Sequence, residues 1–231
     1  FATPAEHRLG NFISLATGGR TLQYFSMNGY LPHAMKKKTG YKLGKRIIGF
    51  GTAVGAPMLP AGREVFKQGP IPPTYGPLLM PTIWDHKREL PVSCPDLSYK
   101  TVSKNKKALG YGLNVGKEYD VLVVYNRDTL QAQSGRIGLT EVLRGRDVHD
   151  LFTSQQVAHD RGRLSTGTLE AGGGRMYLIA TAASFEKVRL QVVVNKYNLR
   201  KRLFDFYYRE PRNNGLDMGG LDRVFTQKFA D

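Results

Sequence analysis

The sequence has one cysteine, Cys94, so an internal disulfide and a multi-cysteine zinc site are both excluded. It has no apolar run approaching the ~18 residues a spanning helix requires. The longest uncharged stretches, 47–62 and 68–84, are both broken by prolines. Acidic residues are scarce too: 19 Asp+Glu stand against 34 Lys+Arg, a net charge of +15 over 231 residues. Such an imbalance attracts polyanions, nucleic acid first and anionic membrane surfaces second.

The charge is unevenly spread. Residues 1–110 hold 16 Lys+Arg and 5 Asp+Glu, which leaves 18 and 14 for residues 111–231. Ten of the twelve prolines lie between Pro32 and Pro95. They argue against long helices and central strands. The division predicts an irregular, basic, Gly/Pro-rich extension over 1–110, ordered on a partner, followed by an α+β domain over 111–231. Within the extension, the run from Gly69 to Pro77 is expected to favour polyproline-like geometry. The stretch 31–110 is read as lacking a fold of its own.

In the second half, Tyr119–Tyr125 and Arg175–Thr181 are apolar runs bounded by charges or glycine, which is the pattern of buried strands. Lys187–Asn195 alternates, with Val188, Leu190, Val192 and Val194 on one side, and reads as a third strand. Leu203–Arg209 reads as a fourth, joined to the third through a turn at 195–198. A helical region is expected from Thr140 to about Val157, split near Gly145. The fold class is therefore α+β, a mainly antiparallel sheet packed by one or two helices.

Candidate contact residues follow from the basic clusters. Lys36, Lys37, Lys38, Lys42, Lys45 and Arg46 surround Gly40, Tyr41 and Gly44. Lys100, Lys104, Lys106 and Lys107 form a second group, and Arg200, Lys201 and Arg202 a third. Lysine and arginine supply charge to phosphates, glycine lets the backbone approach, and an aromatic stacks on an unpaired base. Phe204, Phe206, Tyr207 and Tyr208 beside the third cluster are read as core in preference to a stacking face.

Catalytic motifs are missing. Gly49–Gly55 has GxGxxxG spacing and is followed by prolines, so no helix can cradle a pyrophosphate there. His149-Asp150 and His159-Asp160 resemble the paired ligands of metal-dependent phosphohydrolases. Ten residues apart on one helix, however, they would lie some 15 Å apart along the axis. Cys94 sits between prolines with no activating His nearby. No enzyme activity, cofactor or metal is expected.

A compact mixed domain with a long basic Gly/Pro-rich extension resembles the design of ribosomal proteins. That resemblance implies a structural RNA-contacting component of a large ribonucleoprotein, in particular a mitochondrial ribosomal protein. Its partners would be ribosomal or other structured RNA and neighbouring proteins of the particle. The start Phe1-Ala2-Thr3-Pro4 is read as following removal of a presequence, which places the protein in the mitochondrial matrix. The alternatives are a free-standing organellar RNA-binding or RNA-processing factor, a phosphate-handling enzyme built on the His-Asp pairs, and an accessory subunit of a respiratory complex.

Overall fold

The computed structural model describes residues 3–20, 64, 67–94, 108–205 and 209–213. Among the described residues, ten strands form two antiparallel sheets. The first has the order β1 (Thr82–Trp84), β3 (Leu109–Gly116), β4 (Tyr119–Asn126), β10 (Gly174–Ala180), β6 (Asp147–Asp150), β7 (Gln155–Gln156). The second runs β2 (Val92–Ser93), β5 (Arg136–Gly138), β9 (Arg163–Ser165), β8 (His159–Asp160). Helices α1 (Pro4–Ala16), α2 (Ile71–Tyr75), α3 (Thr140–Leu143), α4 (Ala182–Phe204) and α5 (Glu210–Asn213) accompany them, with a 3-10 turn at Gly76–Leu79. The architecture is α+β with antiparallel sheets, as the composition of the second half implies.

The centre is the β4–β10 pair, in which Val121 faces Leu178 and Val123 faces Met176 in register. Both strands are sealed on both sides. Val121, Val123, Tyr125, Met176 and Leu178 meet α1, α2 and α4, whereas Leu122, Val124, Tyr177 and Ile179 meet the second sheet through Ile137 and Leu164. Full burial of one such side chain contributes about 1.5–3 kcal/mol, which explains an uninterrupted apolar run where a half-buried strand would alternate.

Helix α1 starts at a capping box: Thr3 Oγ1 accepts from Glu6 N at 3.2 Å, and Glu6 Oε2 accepts from Thr3 N at 2.6 Å. It buries Phe12, Leu15 and Ala16 on the sheet. Its close approach requires Gly112, where a Cβ would collide with the Ala16 carbonyl. Asn114 Nδ2 donates to that carbonyl at 3.2 Å.

Several expectations change here. The 69–77 run is not polyproline-like. It carries α2 and enters the 3-10 turn, because Pro72 and Pro77 occupy first-turn positions where a missing N–H costs nothing. The 187–195 stretch is not a strand but the middle of the 23-residue helix α4, and the turn expected at 195–198 is helix interior. Leu203 and Phe204 end that helix. The helix at Thr140 stops after one turn, since Arg144 and Gly145 take positive φ of 46° and 76°. His149 and His159 consequently sit on strands of different sheets. The described parts of the first 110 residues, α1 and 67–94, pack on the same core. Residues 21–63, 65–66 and 95–107 lie outside the described residues.

Candidate nucleic-acid interface

Of the basic clusters, Lys36, Lys37, Lys38, Lys42, Lys45, Arg46, Lys100, Lys104, Lys106 and Lys107 lie outside the described residues. Arg200, Lys201 and Arg202 are exposed on the last turn and a half of α4. None of the three has an ion pair among the described residues. Earlier on the helix, Lys187 is 3.7 Å from Glu118 and Arg189 is 2.8 Å from Glu186. Cations at a helix C-terminus also complement its dipole, so their presence there is partly explained locally.

The triplet does not act as one patch. At about 100° per residue, Arg200, Lys201 and Arg202 fan around the axis. Only Arg200 turns to the side shared by Lys196, one turn earlier, and these two line a cleft of about 410 Å³ between α4, α2 and the end of β6. Its walls are Pro70, Ile71, Thr74, Tyr75, Phe152, Leu199 and Leu203.

Each wall is held by identifiable interactions. Thr181 caps α4 by accepting from Ser184 N at 3.3 Å, and Val188 and Val192 bury the side facing the sheet. Asn195 Nδ2 then donates to the Thr74 carbonyl at 2.9 Å, tying α4 to α2. The Lys196 ammonium lies 5.9 Å from the centroid of the Tyr75 ring. After β6 the chain turns on Asp150, whose Oδ1 accepts from Phe152 N at 2.7 Å and Thr153 N at 3.2 Å. This turn sets Phe152 5.1 Å from Tyr75, ring centre to ring centre. Burial, together with the charge of Asp150, raises the Tyr75 hydroxyl to about 12, so the ring stays neutral.

The opposite side of α4 is apolar and exposed. Leu190, Val193, Val194 and Tyr197 are 59, 56, 49 and 64% exposed at i, i+3, i+4, i+7 spacing. This stripe points about 170° away from Val188 and Val192.

A second cleft, of about 430 Å³, has Arg136, Arg163 and Ser93 along the second sheet but no aromatic wall. The His-Asp pairs do not converge. Asp150 is engaged in the turn just described, and buried His149 stacks on Phe185 with ring centres 3.8 Å apart. His159 and Asp160 are exposed. Among the described residues no group of three or more His, Cys, Asp or Glu is placed to hold a metal ion. Cys94 is partly buried beside the second core cluster.

The basic triplet was readable from composition. Lys196, Tyr75 and Phe152 were not, because their convergence depends on segments separated by tens of residues. Only the aromatic and basic content of each segment could have hinted at it. No family model, curated protein or solved structure matches this chain. Among the described residues no helix is long and apolar enough to cross a membrane.

Proposed function

We propose that the chain is a structural, RNA-contacting component of a large ribonucleoprotein, of the kind an organellar ribosome contains. The observation that carries this reading is the exposed cations Arg200, Lys201 and Arg202 at the end of α4, which have no ion pair among the described residues, in a protein of net charge +15. Cations fanned around a helix end suit a backbone that passes over it, and they give affinity with little base readout. Changing all three to Gln should weaken binding of single-stranded RNA and lower the slope of log K against log salt by up to ~2, at ~0.7 per phosphate contact. An unaltered slope would remove these residues from the interface.

The exposed stripe Leu190, Val193, Val194 and Tyr197 favours a second reading, a module that docks on a protein neighbour. RNA offers such a stripe little to bury against. Under this reading Leu190→Glu with Val194→Glu prevents incorporation into the assembly and leaves RNA affinity unchanged. If incorporation survives both changes, the second reading fails.

A further inference from the structure

We infer that the cleft between α2 and α4 takes one unpaired nucleobase of single-stranded RNA, with the adjoining phosphates held by Lys196 and Arg200. The inference rests on the RNA-contact reading and adds to it a defined site.

Four features of the cleft point to this ligand. Its volume, about 410 Å³, falls within the range of small-ligand sites and admits a base with part of its sugar. The described lining is largely apolar: the partly buried ring of Phe152, the ring of Tyr75, which is only 5% exposed, and Ile71, Leu199 and Leu203. A base excludes water there on both faces, and stacking is worth more against rings than against methyl groups. The cations lie on one wall only, one helical turn or ~6 Å apart along the axis, which suits a chain of phosphates running beside the base. The lining also contains few fixed donors or acceptors. Among the described lining residues the neutral polar groups are Thr74, whose carbonyl is already engaged by Asn195, and the Tyr75 hydroxyl. A site of this kind holds any base and reads none, as the backbone-dominated contact of α4 requires.

The site is built before the ligand arrives. The Asp150 turn fixes Phe152, the Asn195 bond fixes the distance between helices, and the Lys196 ammonium rests on the Tyr75 ring. On binding, the ammonium moves from the ring to the phosphate and the base takes over contact with the aromatic wall. The cleft beside Arg136 and Arg163 offers the anion contact without an aromatic wall and does not qualify.

The test uses the full chain with two fluorescent oligomers of equal length and charge, a short oligoadenylate containing 2-aminopurine and an abasic ribose-phosphate chain. The wild type should prefer the oligomer with bases by about tenfold, with 2-aminopurine quenched on stacking. Leu203 is 42% exposed at the cleft, so Leu203→Trp fills the opening without disturbing the core and should abolish both preference and quenching. Phe152→Leu, which keeps an apolar wall but removes the ring, should reduce them. Abasic-chain affinity stays at the wild-type level in both variants. Lys196→Gln should weaken both oligomers and lower the salt slope by ~0.7.

A preference that survives Leu203→Trp would put the base elsewhere and overturn the inference. Equal, salt-dependent binding of both oligomers by the wild type would overturn it while leaving the RNA-contact reading intact. Binding of neither oligomer would overturn both. Displacement of the 2-aminopurine signal by decanoate but not by adenosine monophosphate would assign the cleft to an aliphatic acid and overturn it as well.

Discussion

Strand β4 and helix α4 are written in nearly the same apolar letters, Val, Leu and Val in close succession, and the fold treats them in opposite ways. Val121 to Val124 in β4 are fully buried on both faces of the sheet. In α4 only Val188 and Val192 are buried, while Val193 and Val194 face outward. Apolar content therefore does not distinguish core from surface here; what an element packs against does. The sealed pair β4–β10 holds the molecule together, and the half-covered helix is free to carry contacts.

Breaking the sealed region should cost most. Arg146 pairs with buried Asp120 and also donates to the Val142 carbonyl at 2.9 Å. Replacing it by Ala leaves a buried carboxylate without its cation and should destabilise by about 3–5 kcal/mol in urea denaturation. Leu178→Ala, at the centre of β10, should cost about 2–5 kcal/mol. If either costs less than about 1 kcal/mol, the two-faced core is misassigned.

The same method sharpens the contrast within α4. Val192→Ala removes two buried methyl groups and should lose about 1.5 kcal/mol, at ~0.8 per carbon. Val194→Ala, on the exposed stripe, should stay within about 0.5 kcal/mol of wild type. A strand would have put both valines on one face and made the two losses equal.

That pair of valines also shows where the sequence misleads. Val188, Leu190, Val192 and Val194 alternate as a strand does. Yet Phe185, Val188, Val192 and Leu199 recur at helical intervals in the same stretch, and the Thr181 cap with the contacts to α2 and the sheet selects the helix. β4 and β10 were legible because burial on both faces leaves no competing period. Pro72 and Pro77 read as helix breakers, although first-turn positions accept them. His149 and His159 fell on a supposed helix that Arg144 and Gly145 end by turning left-handed. In the candidate interface, Arg200, Lys201 and Arg202 stood out as a run. That the three fan around the helix axis, and that Arg200 shares a cleft with Lys196, needed the helix and α2 to be in place.

A smaller effect comes from the boundary between the two regions, where His149 of β6 stacks on Phe185 of α4. Burial holds the His149 imidazole below its usual range, against the charges of Asp147 and Glu186, which raise it. Burial lowers His7 in the same way, opposed by Glu6 and Glu64. As pH falls through about 6.5, the unfolded chain takes up these protons before the folded one does. Stability should therefore decline from about pH 6.5 downward, by at most ~1.4 kcal/mol per pH unit for each group, until the folded state is protonated too. His149→Leu should flatten part of this decline between pH 7 and 5. A decline identical to wild type would show that His149 titrates as freely folded as unfolded.

The central claim, that this protein is held to a large particle by its contacts with RNA, is most directly tested by sedimenting a native extract through a sucrose gradient with and without ribonuclease. The account predicts that the protein travels with large particles and moves to the top of the gradient after digestion. Fast sedimentation that ribonuclease leaves unchanged, or a position at the top from the outset, would contradict it.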